Sequence, residues 1–167
     1  AKNCPGTRPE DLSIQFLNIS IGDGWNVCNC KECLAPFRCE DGAIVDPKDP
    51  VFRSAQYYTL VNKVAREVAK TYPKVDIGVY AYIFTAEPPP FKLEKNVRVQ
   101  YCPFVRDDKA NIFDDNANRN WHDYLDRWGV CGNNVWVRDY FGWANTFPRP
   151  IEYTVAKDVR YCIERGI

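Results

Sequence analysis

The sequence predicts an α/β fold in which parallel strands alternate with helices. Apolar runs of strand length and helical stretches follow one another as strand, helix, strand, strand, helix, strand, helix, the pattern of a parallel sheet with crossover connections. A chain of 167 residues suffices for one hydrophobic core and is short for two domains, so 1–167 reads as a single unit. Four apolar runs each lead into a carboxylate with aromatic neighbours. Parallel strands would gather those acids on one rim, where barrels and open α/β sheets hold ligands.

Leu12 to Ser20 is mostly apolar and half-alternating, which predicts the first strand. Residues 21–49 follow as a long irregular segment with four cysteines and the turn formers Gly22, Gly24, Pro36, Gly42 and Pro47. A loop of that length is usually functional or held by a cross-link. Asp49-Pro50 supplies an N-cap and a first-turn proline, and the helix after it presents Tyr57, Leu60, Val61, Val64, Val68 and Tyr72 as an apolar stripe. Tyr72-Pro73 ends it. Strands are expected at 76–84 and 96–103, joined through a stiff Pro88-Pro89-Pro90 segment. Asp114-Asp115 should cap a second helix carrying Trp121, Leu125 and Trp128, closed by Gly129. A strand at 134–140 leads into an aromatic loop, and Pro150 opens a third helix bearing Ile151, Val155, Val159, Cys162 and Ile163, with Gly166 as its C-cap. Four parallel strands leave the sheet unclosed, and no strand follows the last helix to receive it.

Composition narrows the function classes. Lys+Arg and Asp+Glu both number 22, so no basic surface recommends a nucleic-acid partner. No apolar stretch approaches the ~20 residues of a membrane helix. The opening Ala1-Lys2-Asn3-Cys4-Pro5 is unlike a signal peptide and suits a mature product or an internal piece. One histidine, His122, leaves Ser/His/Asp and Cys/His triads little to stand on; mid-helix and off the apolar stripe, it reads as a solvated side chain. No phosphate-cradling glycine loop is present, which argues against nicotinamide and nucleotide chemistry. Asn18-Ile19-Ser20 matches a glycosylation sequon but lies inside the first strand.

Cysteines and carboxylates carry what chemistry remains. Cys28, Cys30 and Cys33 lie in a C-x-C-x-x-C cluster with Cys39 six residues on. Cys30 and Cys33 have the spacing of a zinc knuckle, with Cys28 and Cys39 as further ligands. Disulfides are the alternative, tying the loop to Cys4 or Cys102. Either role is a scaffold role, pinning the loop that carries Asp23. Among the acids, Asp23 and Asp139 follow different strands, and a pair of carboxylates is the usual equipment for glycoside hydrolysis. No cofactor is expected for catalysis.

The run Ile21-Gly22-Asp23-Gly24 followed by Cys28-x-Cys30-x-x-Cys33 resembles a signature of the bacterial domain-of-unknown-function family 4838, which looks related to glycoside hydrolase family 163. The helix Tyr57 to Pro73, Ala81-Tyr82-Ile-Phe-Thr85-Ala-Glu-Pro88-Pro89, Asn96-Val-Arg-Val, Val137-Arg-Asp139-Tyr140 and the closing Ala156 to Gly166 extend the resemblance. Gly22 departs from the asparagine usual before the Asp. The resemblance implies the later part of a (β/α)8 TIM-type barrel, a partial barrel here, and endo-β-N-acetylglucosaminidase chemistry assisted by the substrate N-acetyl group. It implies Asp23, Tyr82, Thr85, Asp139 and Tyr140 near the active-site rim, and a general acid beyond Ile167.

The combined expectation is part of a secreted, periplasmic or cell-surface glycoside-hydrolase-like barrel acting on β-linked N-acetylglucosamine glycans, partnered by the remainder of its own barrel. Asp23 and Asp139 are the candidate catalytic carboxylates. Trp25, Tyr82, Thr85, Glu87, Tyr140 and Trp143 are the candidate substrate contacts, and Cys28, Cys30, Cys33 and Cys39 hold a structural zinc or form disulfides. The rival is a non-catalytic carbohydrate-binding or structural module with the same acids and rings. A third reading is a zinc-stabilised interaction module.

Overall fold

A computed structural model describes residues 16–24, 26–131, 134–141 and 151–167. Trp25, Trp143, Cys4, Pro150 and the start of the first expected strand, 12–15, lie outside the described residues. Strands β1 (Phe16–Asn18), β4 (Asp76–Ala81), β5 (Val97–Tyr101) and β6 (Val135–Val137) form one parallel sheet in the order β1-β4-β5-β6. A hairpin of β2 (Phe37–Arg38) and β3 (Ile44–Val45) stands apart from it. The helices are α1 (Phe52–Thr71), α2 (Arg119–Cys131) and α3 (Glu152–Glu164). The parallel α/β class expected from the sequence is therefore present.

Strand order follows chain order, so these strands contain no reversal point of the kind at which doubly wound sheets bind ligands. Among the described residues the helices pack on one face of the sheet. Ile77, Val79 and Ala81 of β4, Val97, Val99 and Tyr101 of β5, and Val135 of β6 share one core with Tyr58, Val61 and Ala65 of α1, Leu125 and Trp128 of α2, and Tyr161 of α3. Side chains alternate along a strand, so Tyr80, Arg98 and Gln100 face away from the helices. On that second face Arg98 pairs with Asp76 at 2.7 Å. There too the ring of Phe16 lies against Gly78, where an added Cβ would come within 1.9 Å of it.

The helices depart from the apolar stripes in an instructive way. The Asp49 carboxylate accepts the Val51 amide at 3.0 Å in the turn ahead of the helix, but α1 begins two residues later than Asp49-Pro50 suggests, with Val51 as its N-cap and no side-chain cap bond there. The face α1 buries, however, is Phe52, Ser54, Ala55, Tyr58, Thr59, Val61, Asn62 and Ala65, while Leu60 is 58% exposed and Tyr72 47%. Hydrogen bonds account for the rotation. The Ser54 hydroxyl donates to the Glu87 carbonyl, and the Asn62 amide group spans the Lys92 carbonyl (3.1 Å) and the Glu94 amide (2.9 Å). Small Ala55 and Ala65 let the helix approach the sheet.

α2 starts at Arg119, later than Asp114-Asp115 suggests, and runs through Gly129 to Cys131. Asp114 instead closes a turn, accepting the Asn116 amide with its side chain (3.0 Å) and the Asn118 amide with its carbonyl (2.7 Å). α3 buries Thr154, Asp158 and Tyr161, leaving Val159 and Ile163 exposed. Its end is as expected: Gly166 has φ +70°, and the Ile167 and Gly166 amides return to the carbonyls of Cys162 and Ile163, a Schellman cap.

Within the segment expected to be irregular, the β2–β3 hairpin turns at Gly42 (φ +90°). It brings Cys39 and Val45 against Phe52 and Ala55 of α1 in a second, smaller core. No helix among the described residues is long and apolar enough to cross a membrane.

Candidate functional site

Loops leaving the C-terminal ends of β4, β5 and β6 converge on a line of aromatic rings. Tyr82 meets Phe104 edge-to-face at 5.4 Å, and Phe104 meets Tyr140 in the same way at 5.2 Å. Tyr82 is buried, whereas Phe104 and Tyr140 are half-exposed. Burial raises the Tyr82 hydroxyl pKa, and the charge of Asp23, itself exposed on the loop after β1, raises it further. Tyr140 is pushed up to about 12 by burial and then by the neighbouring Cys102 thiol. Cys102, which the sequence offered as a bridge partner for the cysteine loop, is a buried free thiol beside Tyr140, pushed up to about 11 mainly by burial. Arg138 is exposed and donates to the Tyr80 hydroxyl at 3.0 Å, with its guanidinium 5.4 Å from that ring's centre.

The backbone between β4 and these rings is unusual. Ile83 has φ +52°, a conformation that a β-branched residue adopts only at a cost, and such outliers concentrate at functional sites. Thr85 holds the distortion together. Its hydroxyl donates to the carbonyls of Tyr80 (3.2 Å) and Tyr82 (2.9 Å) and accepts the Tyr82 amide (3.2 Å). With its side chain fully buried, Thr85 shapes the loop from inside. Glu87 likewise turns inward, accepting Arg127 of α2 at 2.7 Å. Trp128 and Tyr58 brace the same loop, donating to the carbonyls of Ala86 (2.8 Å) and Thr85 (3.2 Å).

Asp139 sits in a buried ionic triad. Arg106, 1% exposed in its side chain, lies between Asp139 and Asp158, both 7% exposed, with its Nη2 2.7 Å from an oxygen of each. Arg106 Nε donates to Asp139 at 2.8 Å and Nη1 to the Ala110 carbonyl at 3.0 Å, while Asp158 also accepts the Ile112 amide at 2.9 Å. Burial raises the Asp158 pKa from its ordinary value, opposed by the Ile112 bond and by Arg106. Asp139 also borders an apolar cleft of about 410 Å³ between β6 and α3, lined by Trp136, Phe141 and Ile163.

Cys28, Cys30 and Cys33 come together as the sequence suggested, their sulfurs all within 4.8 Å of one another, a group that could hold a metal ion. Hydrogen bonds from the Cys30 amide, then from the Cys30 and Cys33 thiols, hold the Cys28 thiol below its usual pKa. Cys33 is pushed up to about 11, chiefly by its bond to Cys28. Cys39 lies outside this group, buried in the smaller core. All the cysteines among the described residues are free thiols.

A family model described as Domain of unknown function (DUF4838) matches residues 9–167. The chain belongs to the DUF4838 family. No curated protein and no solved structure matches it.

In this DUF4838 chain, then, Asp23, Tyr82, Tyr140 and Asp139 lie on or just behind one rim, while Thr85 and Glu87 are engaged inside the fold. Phe104, Arg106 and Asp158 are central residues that sequence reading missed. Phe104 follows Cys102-Pro103 directly off β5, the position at which a rim ring would be sought. No local signal marks Arg106 or Asp158, whose pairing spans most of the distance between β5 and α3. His122 was also misread. It is half-buried, with Nδ1 2.7 Å from Asp115 and Nε2 on the Tyr161 hydroxyl, which in turn donates to Asp126 at 2.7 Å, so it helps clasp α2 to α3.

Proposed function

We propose that this DUF4838 chain forms one side of a (β/α) barrel of the glycoside-hydrolase type, whose rim binds β-linked glycans containing N-acetylglucosamine. The observation that carries the reading is the Tyr82–Phe104–Tyr140 line, built from three successive strand ends with the Asp23 charge beside it. The half-exposed rings of Phe104 and Tyr140, backed by buried Tyr82, suit the C–H faces of sugar rings, and a flanking carboxylate suits hydroxyl or N-acetyl N–H donors. Strands in chain order with the described helices on one face support the barrel, since closure is one way to cover the second face of a parallel sheet. Asp23 is the carboxylate placed to orient an N-acetyl group. The general acid would come from a strand outside these residues.

A second reading, glycan binding without hydrolysis, draws on the triad: Asp139 is neutralised by Arg106 and is poorly placed to act as a free acid or base. Calorimetry with chitobiose and longer N-acetylglucosamine oligomers tests the shared premise. Tyr140→Ala should weaken binding about tenfold, the loss of one aromatic contact worth about 1.4 kcal/mol. Undiminished affinity in that variant, or no binding by the parent, would remove the proposal. Asp23→Asn in the full-length protein then separates the readings, since retained binding with lost turnover marks an enzyme and unchanged behaviour a binding module.

A further inference from the structure

We propose that Cys28, Cys30 and Cys33 form a three-thiolate site for a soft, tetrahedral divalent ion, zinc by preference, with the fourth position left to a ligand outside the trio. Zinc–sulfur bonds of about 2.3 Å set tetrahedral sulfurs about 3.8 Å apart. Three sulfurs already within 4.8 Å therefore close on an ion with shifts of about 1 Å or less at the ends of short side chains.

The backbone is fixed in advance. The Leu34 amide donates to the Cys30 carbonyl at 3.0 Å, closing the turn that brings Cys30 and Cys33 to one side. Helix α1 then grips both ends of the motif. Arg53 Nη2 donates to the Cys28 carbonyl (2.8 Å) and to Asn29 Oδ1 (2.9 Å), and Nη1 to the Cys33 carbonyl (3.3 Å). Gln56 Nε2 adds a second bond to the Cys33 carbonyl at 3.1 Å. These bonds use carbonyl oxygens of the main chain and of the Asn29 side chain, and leave the sulfurs facing one another.

Charge also fits. Three thiolates around a dication leave one negative charge, next to the Arg53 guanidinium, and the thiol protons pass to solvent on binding. A disulfide would engage two of the three sulfurs and strand the third, whereas an ion engages all. Cys39 is not the fourth ligand, being 3% exposed and packed with Val45, Phe52 and Ala55. The site braces the loop that carries Asp23, but the inference stands apart from the glycan reading.

The test uses the reduced, chelator-stripped chain. Titration with cobalt should produce thiolate-to-metal charge transfer and the intense visible bands of a tetrahedral ion, and a single equivalent of zinc should abolish them. Zinc should also stop iodoacetamide labelling at Cys28, Cys30 and Cys33, read by peptide mass spectrometry, and leave labelling elsewhere unchanged. The cobalt spectrum should survive Cys39→Ala and be lost in Cys30→Ser. Labelling of the trio unaffected by zinc would overturn the proposal, as would a weak octahedral cobalt spectrum or loss of the spectrum in a folded Cys39→Ala chain. Should either variant fail to fold, the labelling of the parent chain decides. Loss of glycan binding with an intact cobalt spectrum would count against the glycan reading alone.

Discussion

Replacing Arg106 by Met should be among the most damaging single changes in this chain, and its cost should depend on pH. The side chain is almost fully buried between two carboxylates that are nearly as buried. With charge centres about 4 Å apart and an effective dielectric of about 20, each contact is worth about 4 kcal/mol before desolvation is subtracted. Desolvation of the guanidinium takes back much of this, and breaking a buried ion pair from one side typically costs about 3–5 kcal/mol. Against a domain stability of about 5–15 kcal/mol, that loss should lower the denaturation midpoint steeply.

The pH dependence follows from Asp158. Its pKa is raised by burial, so the folded chain holds that proton more tightly than the unfolded one. That group alone favours folding in acid, and its contribution is lost as pH rises through the folded value. Without Arg106, two buried carboxylates face each other uncompensated, and protonation relieves them. Urea denaturation at about pH 7 and again at about pH 5 should show the Arg106→Met deficit shrinking in acid. Adding Asp158→Asn to the same chain should recover part of the deficit at neutral pH. A deficit below about 1 kcal/mol, or one equal at both pH values, would refute the triad as an energetic unit.

Two further substitutions test the frame around the rim. Trp128→Ala removes a fully buried ring and the donor to the Ala86 carbonyl, and should cost about 3–5 kcal/mol by chemical denaturation, with the 83–87 loop gaining proteolytic sensitivity. Tyr161→Phe keeps the ring stacked on Phe113 and deletes the hydroxyl's bonds to Asp126 and His122, so it should cost about 1–2 kcal/mol, and a neutral result would show that the α2–α3 clasp carries no stability.

What could be read from the sequence was set by periodicity and end signals. The helix ahead of Tyr72-Pro73 and the Gly166 cap are local features found where their residues place them, whereas the strands expected at 76–84 and 96–103 are present but shorter, Asp76–Ala81 and Val97–Tyr101, the first ended by the distortion at Ile83. Helix faces were less legible, because burial on α1 is decided by hydrogen bonds from Ser54 and Asn62 to a loop about thirty residues away, which hydrophobicity does not record. Asn118 makes the same point. Its buried amide group bonds the backbone of Asp107 in both directions at 2.8 and 2.9 Å and sets the whole β5–α2 connection, yet it looks like one more polar residue in a turn. At the rim the acids were visible, but not their partners. Only the fold shows that Asp139 is matched by Arg106 and Glu87 by Arg127, while Asp23 remains exposed.

Strand order has a consequence for how the chain comes together. β4 and β5 join Ile77 to Val97, whereas β1 must bring Phe16 to Asp76, about three times the separation along the chain. Loop closure alone makes the β1 pairing about 1 kcal/mol harder by (3/2)RT ln 3. Among the described residues β1 is also exposed and at the edge of the sheet. It should therefore dock last and fray first, and it is the strand from which Asp23 and the thiol loop depart. Ligand capture at this rim and assembly of the sheet's outer strand are then one equilibrium: whatever grips that loop, a sugar at Asp23 or an ion at the cysteines, also pulls the last strand into register.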